Sequence, residues 1–157
     1  MKLKSIIILI AIGTMLLLNA GFAAENITLK EHDFDSHFKM SIPENLTLEN
    51  ISGRVIGNTT LSVNYLNEDA KISIIYAESN GTKAKLVESY EKMCANDTTA
   101  NLTTINNTTV VHFSDNRTIG EVNYHDLAIA GDDEKYLLIQ CDNETLMNMM
   151  VKSIKFS

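Results

Sequence analysis

Apolar and polar residues alternate along this chain in short runs, and at two places the alternation gives way to a helical period. Phe38-Lys39-Met40-Ser41-Ile42 alternates strictly, as a half-buried strand does, and Pro43, the one proline, ends it. Leu61-Ser62-Val63-Asn64-Tyr65 and Lys71-Ile72-Ser73-Ile74-Ile75-Tyr76 flank Asn67-Glu68-Asp69, so 61–66 and 71–77 are expected to pair as a hairpin. Between these strands, residues 44–60 are rich in Asn, Thr and Gly and read as loop with one short strand at most. The period then changes. Leu86, Val87, Tyr90, Met93 and Cys94 fall on one helical face, Lys83, Lys85, Glu88, Glu91 and Lys92 fall outside it, and Thr82 is placed as the N-cap.

Strands are expected again at 101–105, 108–114 and 118–130. In the third, Val122 and Tyr124 share one phase while Leu127 and Ile129 share the other, which calls for a bulge near His125-Asp126. Gly131-Asp132-Asp133 reads as a turn. Lys135–Cys141 contains Tyr136-Leu137-Leu138-Ile139, apolar on both faces, and so predicts a central strand. Asp142 or Asn143 then caps a last helix with Leu146, Met147, Met150, Val151 and Ile154 on one stripe. Met147, Met149 and Met150 read as core filler rather than as a soft binding surface.

This order predicts an α+β fold, an antiparallel sheet packed by a mid-chain helix and a C-terminal helix. One domain is expected over 38–157, with 24–37 as an N-terminal segment. The opening strand Phe38–Pro43 and the ending Met150-Val151-Lys152-Ser153-Ile154-Lys155-Phe156 carry a likeness that covers about 38–156. On these residues the chain resembles short exported proteins of methanogenic archaea, whose architecture is similar to the PsbP-like α/β/α sandwich of photosystem II extrinsic proteins. The resemblance implies a sandwich and an exported chain. It assigns no activity and carries over no functional residue.

The N-terminus changes the picture next. Lys2 and Lys4 precede an apolar run from Ile6 to Leu18, and Gly21-Phe22-Ala23 offers small residues at the −3 and −1 positions of a cut after Ala23. Residues 1–23 are therefore expected to be a signal peptide, the alternative being an uncleaved anchor helix. In either case the remainder is expected outside the cytoplasm, secreted or at the cell surface. With Lys2 and Lys4 set aside, 11 basic residues face 20 acidic ones, a net of −9. That balance argues against nucleic acid as a partner, and membrane is a partner only if the anchor stays.

Eleven of the 16 asparagines begin an Asn-x-Ser/Thr triplet: Asn26, Asn45, Asn50, Asn58, Asn80, Asn96, Asn101, Asn106, Asn107, Asn116 and Asn143. Random placement would give roughly two or three such N-glycosylation acceptors. An exported glycoprotein accounts for both signals, and each modified Asn should then be exposed. Two cysteines in an exported chain suggest one bridge, Cys94–Cys141, the alternative being two buried thiols.

Hydrolase, zinc-protease, phosphate-loop and dithiol motifs are absent from the sequence. His32-Asp33-Phe34-Asp35-Ser36-His37 has ligand types for zinc or copper, but along one extended strand His32 opposes the other three, and no metal or other cofactor is assigned. His125-Asp126 is a candidate acid–base pair without a companion nucleophile. Asp132-Asp133-Glu134 lacks the spaced oxygens of a calcium loop. The expectation is a secreted or cell-surface, N-glycosylated, non-enzymatic binding or adhesion module with an extracellular or cell-wall partner. The alternative is a secreted hydrolase or metal-dependent enzyme using His32, His37, His125 and Asp126. Triplets are sparsest between Gly120 and Asp142 and beyond Thr145, so the binding face is expected on 120–141 and the last helix, with Tyr124, His125 and Asp126 on it. N-terminal sequencing of the native protein is expected to begin at Ala24; a start at Met1 or Lys2 would mean an anchored ectodomain.

Overall fold

A computed structural model describes residues 27–51, 61–119 and 122–157. The segment read as a signal peptide lies outside them, as do Asn26 and Asn58. The order of elements is β1 (Leu29–Phe34), β2 (Phe38–Pro43), β3 (Glu49–Asn50), β4 (Leu61–Asn67), β5 (Ile72–Glu78), α1 (Thr82–Asn96), β6 (Ala100–Ile105), β7 (Thr108–Ile119), β8 (Val122–Gly131), β9 (Lys135–Cys141), α2 (Glu144–Lys152) and β10 (Lys155–Phe156). The strands form two antiparallel sheets, a large one in the order β3-β4-β5-β9-β8-β7-β6 and a small one in the order β1-β2-β10. The fold is α+β, as the patterning predicts.

The large sheet is covered on both faces. Ile72, Ile74 and Tyr76 of β5, Ala128 and Ala130 of β8, and Leu137, Ile139 and Cys141 of β9 face a core closed by the small sheet and α2. That core takes Phe34, Phe38, Met40 and Ile42 from the small sheet and Leu146, Met147, Met150 and Val151 from α2. The opposite face presents Ile75, Val111, Phe113, Tyr124, Leu127, Ile129 and Leu138 to Leu86, Val87, Tyr90, Met93 and Cys94 of α1. β9 sits in the middle of the sheet, and this is why its run is apolar in both phases.

Several local expectations need correction. Thr82 opens α1 rather than capping it; the cap position is Gly81, in left-handed backbone at φ 71, and a free N–H of the first turn, that of Ala84, is taken by Asp133 Oδ1 at 3.2 Å instead. Asn143 does cap α2, its Oδ1 accepting from the Leu146 N–H at 2.9 Å. The strand expected at 118–130 is two strands, since Thr118 still belongs to β7. The phase change in β8 is real: β7 and β8 lose register between His112 and Arg117, opposite His125. Part of the segment 24–37 belongs to the folded unit, because β1 pairs along β2 and Phe34 is buried in the core.

Tight turns account for the left-handed residues. Asp35 and Ser36 (φ 52 and 62) turn β1 into β2, and Asn106 and Asn107 (φ 47 and 60) turn β6 into β7, the backbone that suits short hairpins. Gly131 turns β8 toward β9 at φ +101, where a Cβ would stand 2.3 Å from the Lys135 carbonyl oxygen.

The Cys94–Cys141 bridge does not form; both thiols are free. Strand alternation gives the reason. Cys141 shares the phase of Leu137 and Ile139 and faces the small sheet, whereas Cys94 belongs to the helix on the other face. The sheet lies between them. Cys141 is buried and Cys94 partly so, and burial pushes the Cys141 thiol up to about 12. Thiol titration without reductant is expected to find both cysteines after denaturation. In the native protein Cys94 should react first and Cys141 only on unfolding. Finding no titratable thiol would restore the bridge.

Candidate functional site

The polar side chains with the most chemistry gather at one end of the large sheet. β7, β8, β9 and the β4–β5 turn supply His112, His125 with Asp126, Asp142 just past β9, and Lys71. Register places Asp126 across from His112 on one side and from Cys141 on the other. His112 Nδ1 lies 2.9 Å from Asp126 Oδ1. Asp126 is 1% exposed, while the His112 side chain is 43% exposed. The second Asp126 oxygen is buried with no hydrogen-bond partner among the described residues. Burial raises the Asp126 pKa, and His112 pulls it back down. Glu144, at the start of α2, adds to the rise, and His125 opposes it.

A second pair lies beside the first. His125 Nδ1 contacts Asp142 Oδ1, and Lys71 Nζ donates to the other Asp142 oxygen. Hydrogen bonding from Lys71 is the main reason that the Asp142 carboxyl sits below its ordinary range. His125 and Asp126 sit at the phase break of β8, and each aspartate has its own histidine, His112 for Asp126 and His125 for Asp142.

A histidine held by a buried carboxylate is the arrangement of a general base. Here the nearest candidate nucleophile in the register is Cys141. Its Sγ donates to the Asn143 carbonyl oxygen at 3.6 Å, and its high pKa keeps it a thiol. The pair can therefore move a proton, but Cys141 is not poised to attack a substrate.

The other residues of the expected enzyme site lie elsewhere. His37 stacks on Tyr76 with ring centroids 4.5 Å apart. Tyr76 pairs with Leu137, whereas Asp126 pairs with Cys141, which in turn pairs with Ile72. Four strand residues, about 13 Å, separate those positions along β5. His32 is further out on β1, its ring edge-on to Phe34 at 5.0 Å. The set His32, His37, His125 and Asp126 is thus not assembled.

The segment from His32 to His37 is also not one extended strand but a hairpin, and its side chains go to separate partners. Asp33 accepts the Ser36 N–H at 2.8 Å, and Asp35 accepts the Tyr65 hydroxyl at 2.6 Å. Among the described residues no three His, Cys, Asp or Glu side chains are placed to hold a metal ion. In the β8–β9 turn, Asp132 Oδ1 accepts the backbone N–H groups of Glu134 and Lys135, each at 2.9 Å.

The expected binding face over 120–141 also needs correction. Tyr124 and Asp126 are 3% and 1% exposed, because β8 and β9 run through the interior of the sheet; Tyr124 packs on the α1 side, and burial pushes its hydroxyl up to about 12. The sequence reading missed His112, Asp142 and Lys71. Only the pairing of β7 with β8 and of β9 with its neighbours brings them in.

The glycosylation triplets behave differently from the other asparagines. The nine described, Asn45, Asn50, Asn80, Asn96, Asn101, Asn106, Asn107, Asn116 and Asn143, are all exposed. Of the four other described asparagines, only Asn123 is exposed. Asn64 is buried, with its Oδ1 accepting from the Ser73 hydroxyl at 3.3 Å. Set against family models, curated proteins and solved structures, the chain finds no match in any of the three.

The Asp126 carboxyl gives a test with a definite sign. Its raised pKa means that the fold favours the protonated form, so the stabilising contribution is present at low pH and is lost as pH rises through the folded pKa. Asp126→Asn removes this titration. The variant should gain stability relative to wild type between pH 4 and pH 7, by about 1–3 kcal/mol if the unpaired oxygen dominates. Urea unfolding at the two pH values checks it, and a difference that shrinks with rising pH would contradict the burial argument.

Proposed function

We propose that this chain is an extracytoplasmic, N-glycosylated α+β domain that acts by binding at or near the cell surface, without turnover, toward an extracellular or cell-wall partner. The observation that carries the reading is the exposure of every described triplet asparagine, against one of four among the rest. A composition bias alone would not sort the two groups by burial, whereas a bulky, solvated modification requires it. The N-terminal pattern of Lys2, Lys4, the apolar run and Gly21-Phe22-Ala23 supports export of the same chain. Among the described residues no helix is long and apolar enough to cross a membrane. The likeness to PsbP-like exported proteins belongs with this proposal, supported by the layered arrangement of sheet and helices.

Binding is favoured over catalysis by where one triplet falls. Asn101 of β6 lies directly across from His112. Cross-strand neighbours share a face, so a glycan on Asn101 would stand over the His112–Asp126 pair. Among the described residues the strands of the small sheet carry no triplet. On that sheet Lys39 meets Asp33 at 3.7 Å and Lys155 meets Glu31 at 2.5 Å.

Intact mass tests the proposal. Protein from the native host should be heavier than its sequence by several glycans, and it should sediment with the cell envelope or accumulate in the medium. A native mass equal to that of residues 24–157 would remove the glycoprotein reading.

A further inference from the structure

The large sheet ends on one side in β6, and that edge is unlike the other exposed edges of the fold. Among the described residues β6 pairs only with β7, and the outward N–H and C=O groups of Ala100–Ile105 meet no described strand. An open edge is a template for another chain, and proteins blunt it with charge, proline, bulges or brevity. β1 carries Lys30, Glu31, His32 and Asp33; β3 and β10 are two residues each, with Glu49 and Lys155 on them. β6 reads Ala-Asn-Leu-Thr-Thr-Ile, six residues with no charge, no proline and an unbroken register with β7. By the ordinary devices it is unprotected.

The triplets gather around this edge. Asn101 is its second residue and is exposed. Asn106 and Asn107 are the exposed turn that follows it, and Asn96 ends the helix that precedes it. Asn116 lies further along β7, next to Arg117, which donates to Asp97 Oδ2 at 2.8 Å just ahead of β6. Five of the nine described triplets thus border one strand.

We infer that N-glycans on Asn101 and on the Asn106-Asn107 turn guard the β6 edge, and that without them β6 pairs antiparallel with β6 of a second copy of this chain. The second copy is the fitting occupant because the strand meets itself without charge. An antiparallel dimer centred on Thr103 sets Thr103 against its own copy and Leu102 against Thr104, extending the sheet through backbone hydrogen bonds. Elsewhere the copies would repel, since the chain beyond Ala23 carries net −9. A glycan on Asn101 leaves no room for the incoming strand. The inference rests on the glycosylation reading above, and the experiment separates the two.

The full chain is produced in its native host as wild type, as Thr103→Ala/Asn106→Gly/Asn107→Gly, and as that triple variant with Thr104→Lys. Thr103→Ala removes the Asn101 acceptor, and glycine suits the left-handed turn. Thr103→Ser, which keeps the acceptor, is the control. Light scattering after size exclusion is expected to give a monomer for wild type and for Thr103→Ser. The triple variant should double in mass, and Thr104→Lys, placing a charge on the edge, should return it to a monomer. A triple variant that stays monomeric, or a dimer that Thr104→Lys leaves intact, overturns the edge assignment. If wild type carries no added mass yet dimerises and Thr104→Lys separates it, the edge stands and the glycan guard falls.

Discussion

Because α1 covers one face of the large sheet while the small sheet and α2 cover the other, the strand at its centre has no solvent side, and the rest of the architecture follows from that constraint. β9 must present apolar groups in both phases, and Leu137, Leu138 and Ile139 do so. Its neighbours β5 and β8 inherit the same demand. Only toward the edges, at β6 and β3, does the pattern relax to half-exposed residues. The two cores differ in kind. The one beneath α2 contains fully buried helical residues, whereas α1 has none and lies on its core as a partly exposed cover. Removing methylenes from β9 would therefore open a cavity that neither side could easily fill.

The same double cover explains which parts of the structure were legible in the sequence. β2 buries alternate residues, β5 and β9 bury nearly every residue, and each helix sets a single apolar stripe on its core, so these elements stand out in the sequence. β1 buries Phe34 but exposes the four residues before it, which leaves no alternation to read. β10 is two residues long and exists only through its pairing with β2. The bridge between Cys94 and Cys141 looked plausible because each sulfur lies in the apolar phase of its element. A strand with two apolar phases does not reveal in sequence which face a given helix will take.

For the polar site the illegibility has a different source. His125-Asp126 stood out because it broke a phase, and the break is there. Its partners do not stand out, since His112 sits in an ordinary β7 run, and Asp142 and Lys71 look like surface charge next to turns. Pairing across three strands makes them neighbours, and that information is non-local. The His32–His37 segment failed in the opposite way: its residue types suggested ligands, but a turn at Asp35-Ser36 sent them to unrelated partners. The expected exposure of the triplet asparagines is found at all nine described positions, because exposure is local to each residue and needs no knowledge of strand pairing.

The small sheet joins distant parts of the chain in one place. β2 is flanked by β1, a few residues before it, and by β10, whose Phe156 pairs with Phe38. The Ser41 N–H also donates to the Ser153 hydroxyl at 2.8 Å. A chain emerging from its N-terminus can make the β1–β2 hairpin at once, yet the second edge of β2 waits for residues more than a hundred positions later. Until they arrive, Phe38, Met40 and Ile42 lack the α2 side of their core, and the early hairpin remains an open, apolar surface. Completion of the small sheet thus waits on α2 and β10, which makes it a clasp that closes only once that later part of the chain has folded.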